Sequence, residues 1–333
     1  MRQATSWPDV LCPPDHAVRE LRQEGLLQPL GFDQLPNLAN LDASFLLGRA
    51  HDPEGRYSVA KDWGTTGYLI RTDRVGGPAE SWADFWRLAS EHTGRVCVLD
   101  SPGEVIGAAL KMRGCSYNSA DPEELKQARQ DLITLRSHLL AFDTDYKPHL
   151  ASGEAWLALG WNGDATSLQR DCHPIPYVLP SEGSQIWEDD WAIAASTPRA
   201  SAAHAFIDFM LRPEVAAIEA HHTGYATPNR EHLALLPDEL RSDPSIYPPP
   251  AVRARLEPGL PLFPGGAPAS IASMGRYPGR LSRRRANVAF LGFAPWTGLG
   301  RSGLGRGRRH PRGPTGGRFL AASQARNLLR SSG

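Results

Sequence analysis

Three consecutive carboxylates between two tryptophans are the most unusual chemical feature of the sequence. Glu188, Asp189 and Asp190 stand between Trp187 and Trp191, after a turn rich in Gly and Ser. Indole rings cover methylene groups and attract ammonium groups through their negative faces, and carboxylates pair with ammonium charges. This combination favours a diamine or polyamine as ligand. The more common alternative for such residues is that the indoles pack in a core and the acids form a solvated loop.

A further tryptophan stands where the chain must turn. Trp161 ends an apolar run and lies between Gly160 and Gly163. Glycine permits a tight turn at the end of a strand, and a ring at that position can face a cleft. The pattern therefore makes Trp161 a second candidate for an aromatic contact with a ligand.

Two other groups of residues have the types that bind metals. Asp143 and Asp145 form a D-x-D pattern, but Asp and Thr after a helix more often form turns. His221 and His222 are adjacent and lack the i, i+4 spacing of a zinc-binding helix. We expect no metal site at either place.

Motifs for catalysis and cofactors are weak or missing. The sequence has neither the G-x-S-x-G nor the G-x-x-x-x-G-K-[ST] pattern. Gly298, Gly300 and Gly303 match a dinucleotide fingerprint, but no acidic residue follows to bind a ribose. The four cysteines show no C-x-x-C pair and no sign of a disulfide framework: Cys12, Cys97, Cys115 and Cys172. We expect no cofactor and no enzymatic activity.

The elements that must position these residues alternate between strands and helices. Apolar runs predict strands at 9–11, 57–60, 66–70, 95–99, 156–159 and 177–179. Amphipathic periodicity and capping residues predict helices at 17–27, 82–90, from about 102, from 121 to 139, and 201–211. Alternation of this kind, with apolar strands, predicts an α/β fold in two lobes with mainly parallel sheets.

Charge divides the chain into two parts. All 36 acidic residues lie at or before Glu257, with 23 basic residues, whereas 13 arginines and no acid follow. Residues 259–333 are rich in Arg, Gly and Pro, and such a composition predicts a disordered tail. Few aromatics lie among its charges, so we do not expect it to bind nucleic acid. No run approaches the roughly 20 apolar residues of a membrane span, so we expect no membrane insertion.

Several segments, in a fixed order, resemble the spermidine/putrescine-binding periplasmic proteins, the substrate-binding subunits of polyamine ABC transporters. The similarity extends over about residues 8–258. It is carried by the segments 9–11, 18–27, 36–42, 63–67, 81–86, 159–163, 187–189, 209–216 and 224–229. The resemblance implies a type II periplasmic-binding-protein-like α/β fold, in which two lobes close over a ligand.

The resemblance also implies where the lobes divide, because the chain of this family crosses between them more than once. The crossings would fall near Thr66 and Glu188. The first lobe would contain 1–67 and 188–232, and the second 68–187 and 233–258, with 259–333 as the tail.

Individual ligand contacts follow from the same resemblance. Trp161 and Trp187 would be aromatic walls, and Asp189 and Glu104 would be carboxylates for the amines. Ser101 stands where the family has another ligand carboxylate.

Three positions differ from the polyamine pattern of the family. Asp100, beside Ser101, would be the substitute for the carboxylate that Ser101 lacks. Pro14 and His16 stand at positions where the family has Ser and Tyr contacts. These differences reduce the charge complementarity to a polyamine.

The function implied is capture of a polyamine outside the cytoplasm and delivery to an ABC transporter permease, by a periplasmic monomer. The family's signal peptide and first strand-helix unit would precede Met1, and its last helix would follow Glu257. We therefore expect a truncated start and hypothesise that the tail is translated out of frame. Three alternatives stay open: the same fold with another small solute, a truncated nonfunctional homologue, and an enzyme using Asp143, Asp145 or the histidine pair.

Overall fold

The computed structural model describes residues 8–171 and 173–260. Apart from Gly259 and Leu260, the predicted disordered tail lies outside these residues. Cys172 and the glycine motif at 298–303 also lie outside them.

Short strands and helices alternate along the described chain. The strands are β1 (Val10–Leu11), β2 (Ser58–Ile70), β3 (Val96–Val98), β4 (Leu139–Phe142), β5 (Leu157–Trp161), β6 (Tyr177–Val178), β7 (Gln185–Ile193) and β8 (Glu257–Pro258). The α-helices are α1 (Asp15–Gln23), α2 (Trp82–Glu91), α3 (Pro102–Met112), α4 (Pro122–Arg136), α5 (Lys147–Ser152), α6 (Asn162–Arg170), α7 (Ala200–Met210), α8 (Pro213–Thr223), α9 (Asp238–Arg241) and α10 (Pro250–Arg253). Four 3₁₀ turns lie at Phe32–Gln34, Pro36–Asn40, Ala43–Phe45 and Glu231–Leu235.

One long strand, β2, connects the whole sheet. The strand order is β1-β7-β2-β5-β3-β4, with β6 also paired to β2 and β8 to β7. Residues 58–65 of β2 pair with β7, whereas residues 66–70 pair with β5. The sequence predicted two strands here, because Lys61, Asp62 and Gly64 interrupt the apolar pattern. Residues 58–70 instead form one strand of 13 residues, since the charges of Lys61 and Asp62 are paired inside the protein.

The prediction of mainly parallel sheets is wrong. β2 runs antiparallel to β5, β6 and β7, and β1 runs antiparallel to β7. The pairs β3–β4, β3–β5 and β7–β8 are parallel. Apolar strands buried on both faces have the same composition whichever way their neighbours run, so composition does not determine direction.

Helix capping follows the sequence signals closely. The Ser81 side chain accepts a hydrogen bond from the Asp84 N–H, and Asp121 accepts from the N–H groups of Glu123 and Glu124. Gly25, with φ +67°, follows α1. The helix predicted to reach residue 139 ends instead at Arg136, because Leu139 starts β4.

Separate apolar cores lie along this sheet. The largest is built from residues 68–175 and contains Tyr68, Trp82, Phe85 and Leu157 among its buried side chains. A second combines residues from 30–59 with residues from 191–211. Within the described part of the chain, no helix has the length and apolar character needed to cross a membrane.

Candidate functional site

The candidate site lies on both sides of the middle of β2. In the sheet register, Thr66 is opposite Trp161 on β5, Gly64 is opposite Trp187 on β7, and Asp62 is opposite Asp189 on β7. The two strands that carry the predicted indoles therefore flank the same stretch of β2. This arrangement explains how residues 26 positions apart in the sequence, Trp161 and Trp187, come together.

Aromatic rings form a connected group here. The ring centroids of Trp161 and Trp187 are 6.5 Å apart with an interplanar angle of 74°. Tyr225 extends the group, since its ring centroid lies 4.9 Å from that of Trp187 at 81°. Edge-to-face contacts of this kind are favourable between aromatic rings and hold them in fixed orientations.

Glycines make room for these rings. A Cβ atom on Gly64 would lie 2.3 Å from Cζ2 of Trp187, and one on Gly163 would lie 2.5 Å from Cε1 of Tyr225. Real Cβ atoms do not approach other atoms so closely, so both positions need glycine for steric reasons. Neither glycine has the left-handed backbone conformation.

Glu104, in the first turn of α3, joins the aromatic group through hydrogen bonds. Its Oε2 accepts from Nε1 of Trp161 at 3.0 Å and from Oγ1 of Thr66 at 2.6 Å. Burial raises the pKa of the Glu104 carboxyl to about 7, although these two hydrogen bonds and His16 act in the opposite direction. The structure thus brings the predicted residues Glu104, Trp161 and Trp187 together.

A tyrosine fixes the backbone of Trp161. The Trp161 N–H donates to the hydroxyl oxygen of Tyr146 at 2.9 Å, and that hydroxyl donates to Oδ2 of Asp164 at 2.6 Å. Tyr146 is fully buried and lies against Gly160, where a Cβ would be 2.1 Å from the hydroxyl oxygen. Tyr146 therefore fixes the backbone position of Trp161 through this hydrogen bond.

The three consecutive carboxylates fall into two groups, because side chains alternate along a strand. Glu188 and Asp190 both contact Arg49, at 3.6 Å and 2.5 Å. Asp189 instead lies opposite Asp62, and its backbone pairs with Pro14. Burial and the Asp62 charge raise the pKa of Asp189 to about 7, against the opposing effect of Lys61.

Asp190 is buried and paired within the protein, so its carboxylate is not free to bind a ligand. Its carboxylate contacts Arg49 and, at 2.8 Å, Nε2 of His51. Burial would raise the pKa of Asp190, but Arg49 and His51 hold it below its usual range. His51, Glu188 and Asp190 lie close enough to share a metal ion, yet the Arg49 guanidinium already supplies positive charge there.

Ser101 and Asp100 lie at the start of α3, with different surroundings. Ser101 is half-buried at the N-cap, where its side chain makes no capping hydrogen bond. Asp100 is exposed, and its side chain has no hydrogen bond or ion pair with other described residues. The structure brings Ser101 within one helical turn of Glu104 but gives Asp100 no contact with the aromatic group.

A cavity of 290 Å³ lies beside the site. Its walls include His16, Arg49, His51 and Glu188. Burial and the neighbouring Asp190 charge raise the pKa of Glu188 to about 7. The cavity thus contains Glu188 and His16, whereas Trp161, Trp187, Asp189 and Glu104 are not among its lining residues.

The remaining candidates from the sequence serve local structure. Oδ1 of Asp143 accepts a hydrogen bond from the N–H of Asp145 within their own loop at 2.9 Å. The carbonyl oxygens of His221 and His222, near the end of α8, accept hydrogen bonds from Arg170. The structure brings neither pair to the aromatic group.

Sequence reasoning missed several residues of the site, namely Lys61, Asp62, Thr66, Tyr177 and Tyr225. Tyr177 contacts the site through a 2.9 Å hydrogen bond between its hydroxyl and Oγ1 of Thr65. One signal was present, since Gly64, Gly67 and Gly163 each face an aromatic ring. The sequence does not reveal which ring faces which glycine, because those pairs join distant segments.

Comparison with known proteins agrees with this architecture. The family model of the bacterial extracellular solute-binding proteins matches residues 1–248. Since this match covers well over half of the chain, the chain belongs to that family. The likeness detected in the sequence is thereby confirmed.

Two relatives have names that state which polyamines they bind. A spermidine/putrescine-binding periplasmic protein of Escherichia coli (strain K12) is 35% identical over 243 residues, which cover 72% of this chain and 69% of the relative. A putrescine/agmatine-binding protein of Pseudomonas aeruginosa is 32% identical over 259 residues, which cover 72% of this chain and 70% of the relative.

A solved structure has the same fold. It is the spermidine/putrescine ABC transporter substrate-binding protein PotD of Streptococcus pneumoniae, which aligns with a TM-score of 0.70 and 29% identity, over 78% of this chain and 80% of that chain. The predicted α/β periplasmic-binding-protein-like fold is therefore confirmed.

Proposed function

We propose that this protein is an extracytoplasmic solute-binding protein that captures a polyamine and delivers it to an ABC transporter permease. The observation that supports this most directly is the contact of the Glu104 carboxylate with the Trp161 indole, beside Trp187 and Tyr225. Aromatic faces would cover the methylene groups of the ligand, and Glu104 and Asp189 would pair with its amines.

We also propose the lobe division implied by the sequence, with crossings near Thr66 and Glu188. It is supported by two of the separate cores, one from residues 68–175 and the other from 30–59 and 191–211. The segment 233–258 departs from this division, because its Ile246 packs with Phe45 and Trp63 of the first lobe. The long strand β2 pairs with β7 before Thr66 and with β5 from Thr66 onward. A ligand at the middle of β2 would contact both lobes, and closure would bury it.

Location and partners follow from the family. We propose that the protein works in the periplasm as a monomer without catalysis; the periplasmic location is supported by the relatives' description as periplasmic binding proteins.

A different small solute is the second candidate. It is favoured by Ser101, Pro14 and His16, which by the resemblance stand where a polyamine site of this family would have a carboxylate, a serine and a tyrosine. A thermal-shift panel of diamines, polyamines, amino acids and metal ions distinguishes the two candidates, because the bound solute raises the melting temperature.

Calorimetric titration of the 333-residue chain with spermidine and putrescine tests the polyamine proposal. Saturable binding is expected, and Trp187→Ala should weaken it roughly tenfold, since a cation–π contact with a desolvated indole contributes up to about 2 kcal/mol and each 1.4 kcal/mol is about tenfold in Kd. Trp156→Ala is the matched control, because Trp156 contacts His92 and Arg95 away from the site. A cooperatively melting protein that binds neither amine would contradict the proposal.

A further inference from the structure

A buried lysine, Lys61 on β2, interacts electrostatically with Asp189. The Lys61 ammonium contacts the Asp62 carboxylate and lies 2.9 Å from Oε1 of Glu219, while its side chain is only 8% exposed. The β2–β7 register shifts between Ala60 and Asp62, so Lys61 is at an irregularity of the ladder. Burial alone lowers the pKa of Lys61, but Asp62 and Glu219 outweigh burial and raise it above its usual range. The lysine is therefore a buried cation held between two carboxylates.

The surroundings of this ammonium repeat the chemistry of the proposed ligand site. Its Nζ lies 5.6 Å from the ring centroid of Trp191, a distance at which an indole attracts a cation. Two carboxylates and one indole thus surround an ammonium on an aliphatic stem. These are the groups that a ligand amine would find between Trp187 and Asp189.

Both ammonium environments lie along β7. Trp187, Asp189 and Trp191 alternate along the strand, so their side chains leave the same face, roughly 7 Å from one to the next. Asp189 therefore stands between the indole of the candidate site and the indole that covers Lys61. Asp62, directly across from Asp189 in the register, belongs to both environments.

The carboxyl groups around Lys61 outnumber the single ammonium that pairs with them. Asp62 is 4% exposed, and its Oδ1 is buried without a hydrogen-bond partner in the described part of the chain. A buried acceptor without a donor is unfavourable unless something pairs with it. Lys61 pairs with Asp62 and Glu219 and also interacts electrostatically with Asp189, so one ammonium serves three carboxyl groups.

We propose that Lys61 occupies a second ammonium subsite, formed by Asp62, Glu219 and Trp191, and so determines how many ligand charges the protein accepts. The ligand class rests on the proposed function, whereas the subsite itself is defined by the residues around Lys61. With Lys61 present, the subsite is closed to ligand, and a shorter or less charged amine is preferred.

Chemical rescue tests the subsite without any polyamine. Lys61→Ala removes the atoms from Cγ to Nζ, which correspond to n-propylammonium. This cation should raise the melting temperature of the variant in a saturable way, with the logarithmic dependence expected of a ligand that binds the folded state. Propan-1-ol, which has no charge, should not. Neither the wild type nor Lys126→Ala should respond, because Lys126 is an exposed lysine whose ammonium pairs with the exposed Glu123. Equal responses of Lys61→Ala and wild type would overturn the proposal.

A selectivity measurement covers the case in which Lys61→Ala does not fold. Lys61→Met keeps an unbranched stem against Trp191 and removes the charge. The ratio of the putrescine Kd to the spermidine Kd, measured at pH 8, should rise about tenfold, because spermidine brings a third ammonium to carboxylates whose charge Lys61 no longer neutralises. An unchanged ratio would be evidence against Lys61 as a specificity determinant. If the wild type binds no polyamine, the proposed function fails, but the propylammonium result still decides whether the subsite exists.

Discussion

At the scale of single residues, the site depends on carboxyl groups whose ionisation is balanced near neutral pH. Burial raises the pKa of both Glu104 and Asp189 to about 7. Without ligand, the folded protein binds these protons more tightly than the unfolded chain does. The stability that these two groups contribute is therefore present below the usual carboxyl pKa and is lost as pH rises through about 7. An ammonium ligand favours the ionised carboxylates and displaces the protons.

Spermidine affinity should accordingly depend on pH. Below about pH 7 the Kd should rise by up to about tenfold per pH unit for each carboxyl that must lose a proton. Titrations at several pH values, in two buffers of different ionisation enthalpy, measure the protons released. Glu104→Gln should release one proton fewer and bind more weakly. Glu123→Gln is the control, because Glu123 is an exposed acid of α4. A Kd independent of pH in this range would show that neither carboxyl pairs with the ligand.

At this scale, the sequence predicted the chemical types of the site residues better than it predicted which residues are in contact. Trp161, Trp187 and Glu104 were predicted and are found together. Lys61 and Asp62 were not predicted, because two charges within a strand are typical of an exposed edge, and only the fold brings Glu219 on α8 to Lys61. Tyr225 was missed since its partner Trp187 is 38 residues away in the sequence.

At the scale of elements, local signals were sufficient where the interactions are local. Ser81 and Asp121 cap α2 and α4 as their sequence patterns predicted, because a cap involves residues within three positions. Strand direction and the continuity of β2 depend on pairing between residues about 100 or more positions apart, such as Thr66 with Trp161 and Gly64 with Trp187. Such pairings leave no local periodicity, so the sequence predicted two strands and parallel sheets.

The close packing of β2 against β7 gives a prediction for Gly64. Gly64→Ala would place a Cβ against the Trp187 ring, so the ring must shift from the position in which it contacts Trp161 and Tyr225. We expect a loss of roughly 1 to 3 kcal/mol in unfolding free energy and weaker amine binding. Denaturant unfolding and calorimetry measure the two effects. Gly76→Ala is the control, because a Cβ at Gly76 meets no atom of the other described residues within 4 Å. If both variants behave alike, steric contact with Trp187 is not what requires glycine at position 64.

At the scale of the whole molecule, charge is distributed very unevenly. Every acidic residue precedes Pro258, and the 13 arginines beyond Glu257 bring the formal net charge of the chain to zero. A chain of zero net charge has no attraction for a polyamine at long distance, but an acidic region carrying the site attracts one at distances up to about 10 Å in 0.1 M salt. The attraction at the site therefore depends on how much of the acidic region's field the arginines cancel.

The rate of polyamine association separates these possibilities. Steered association slows as salt screens the attraction, whereas dissociation, governed by close contacts, changes little. Stopped-flow recording of tryptophan fluorescence, with Trp187 and Trp161 at the site as reporters, gives both rate constants. We expect the association rate constant for spermidine to fall several-fold from low to physiological ionic strength, and less for putrescine, which carries one charge fewer. An association rate independent of salt would mean that the arginines cancel the field of the acidic region, leaving recognition to Glu104, Asp189 and the indoles at contact distance.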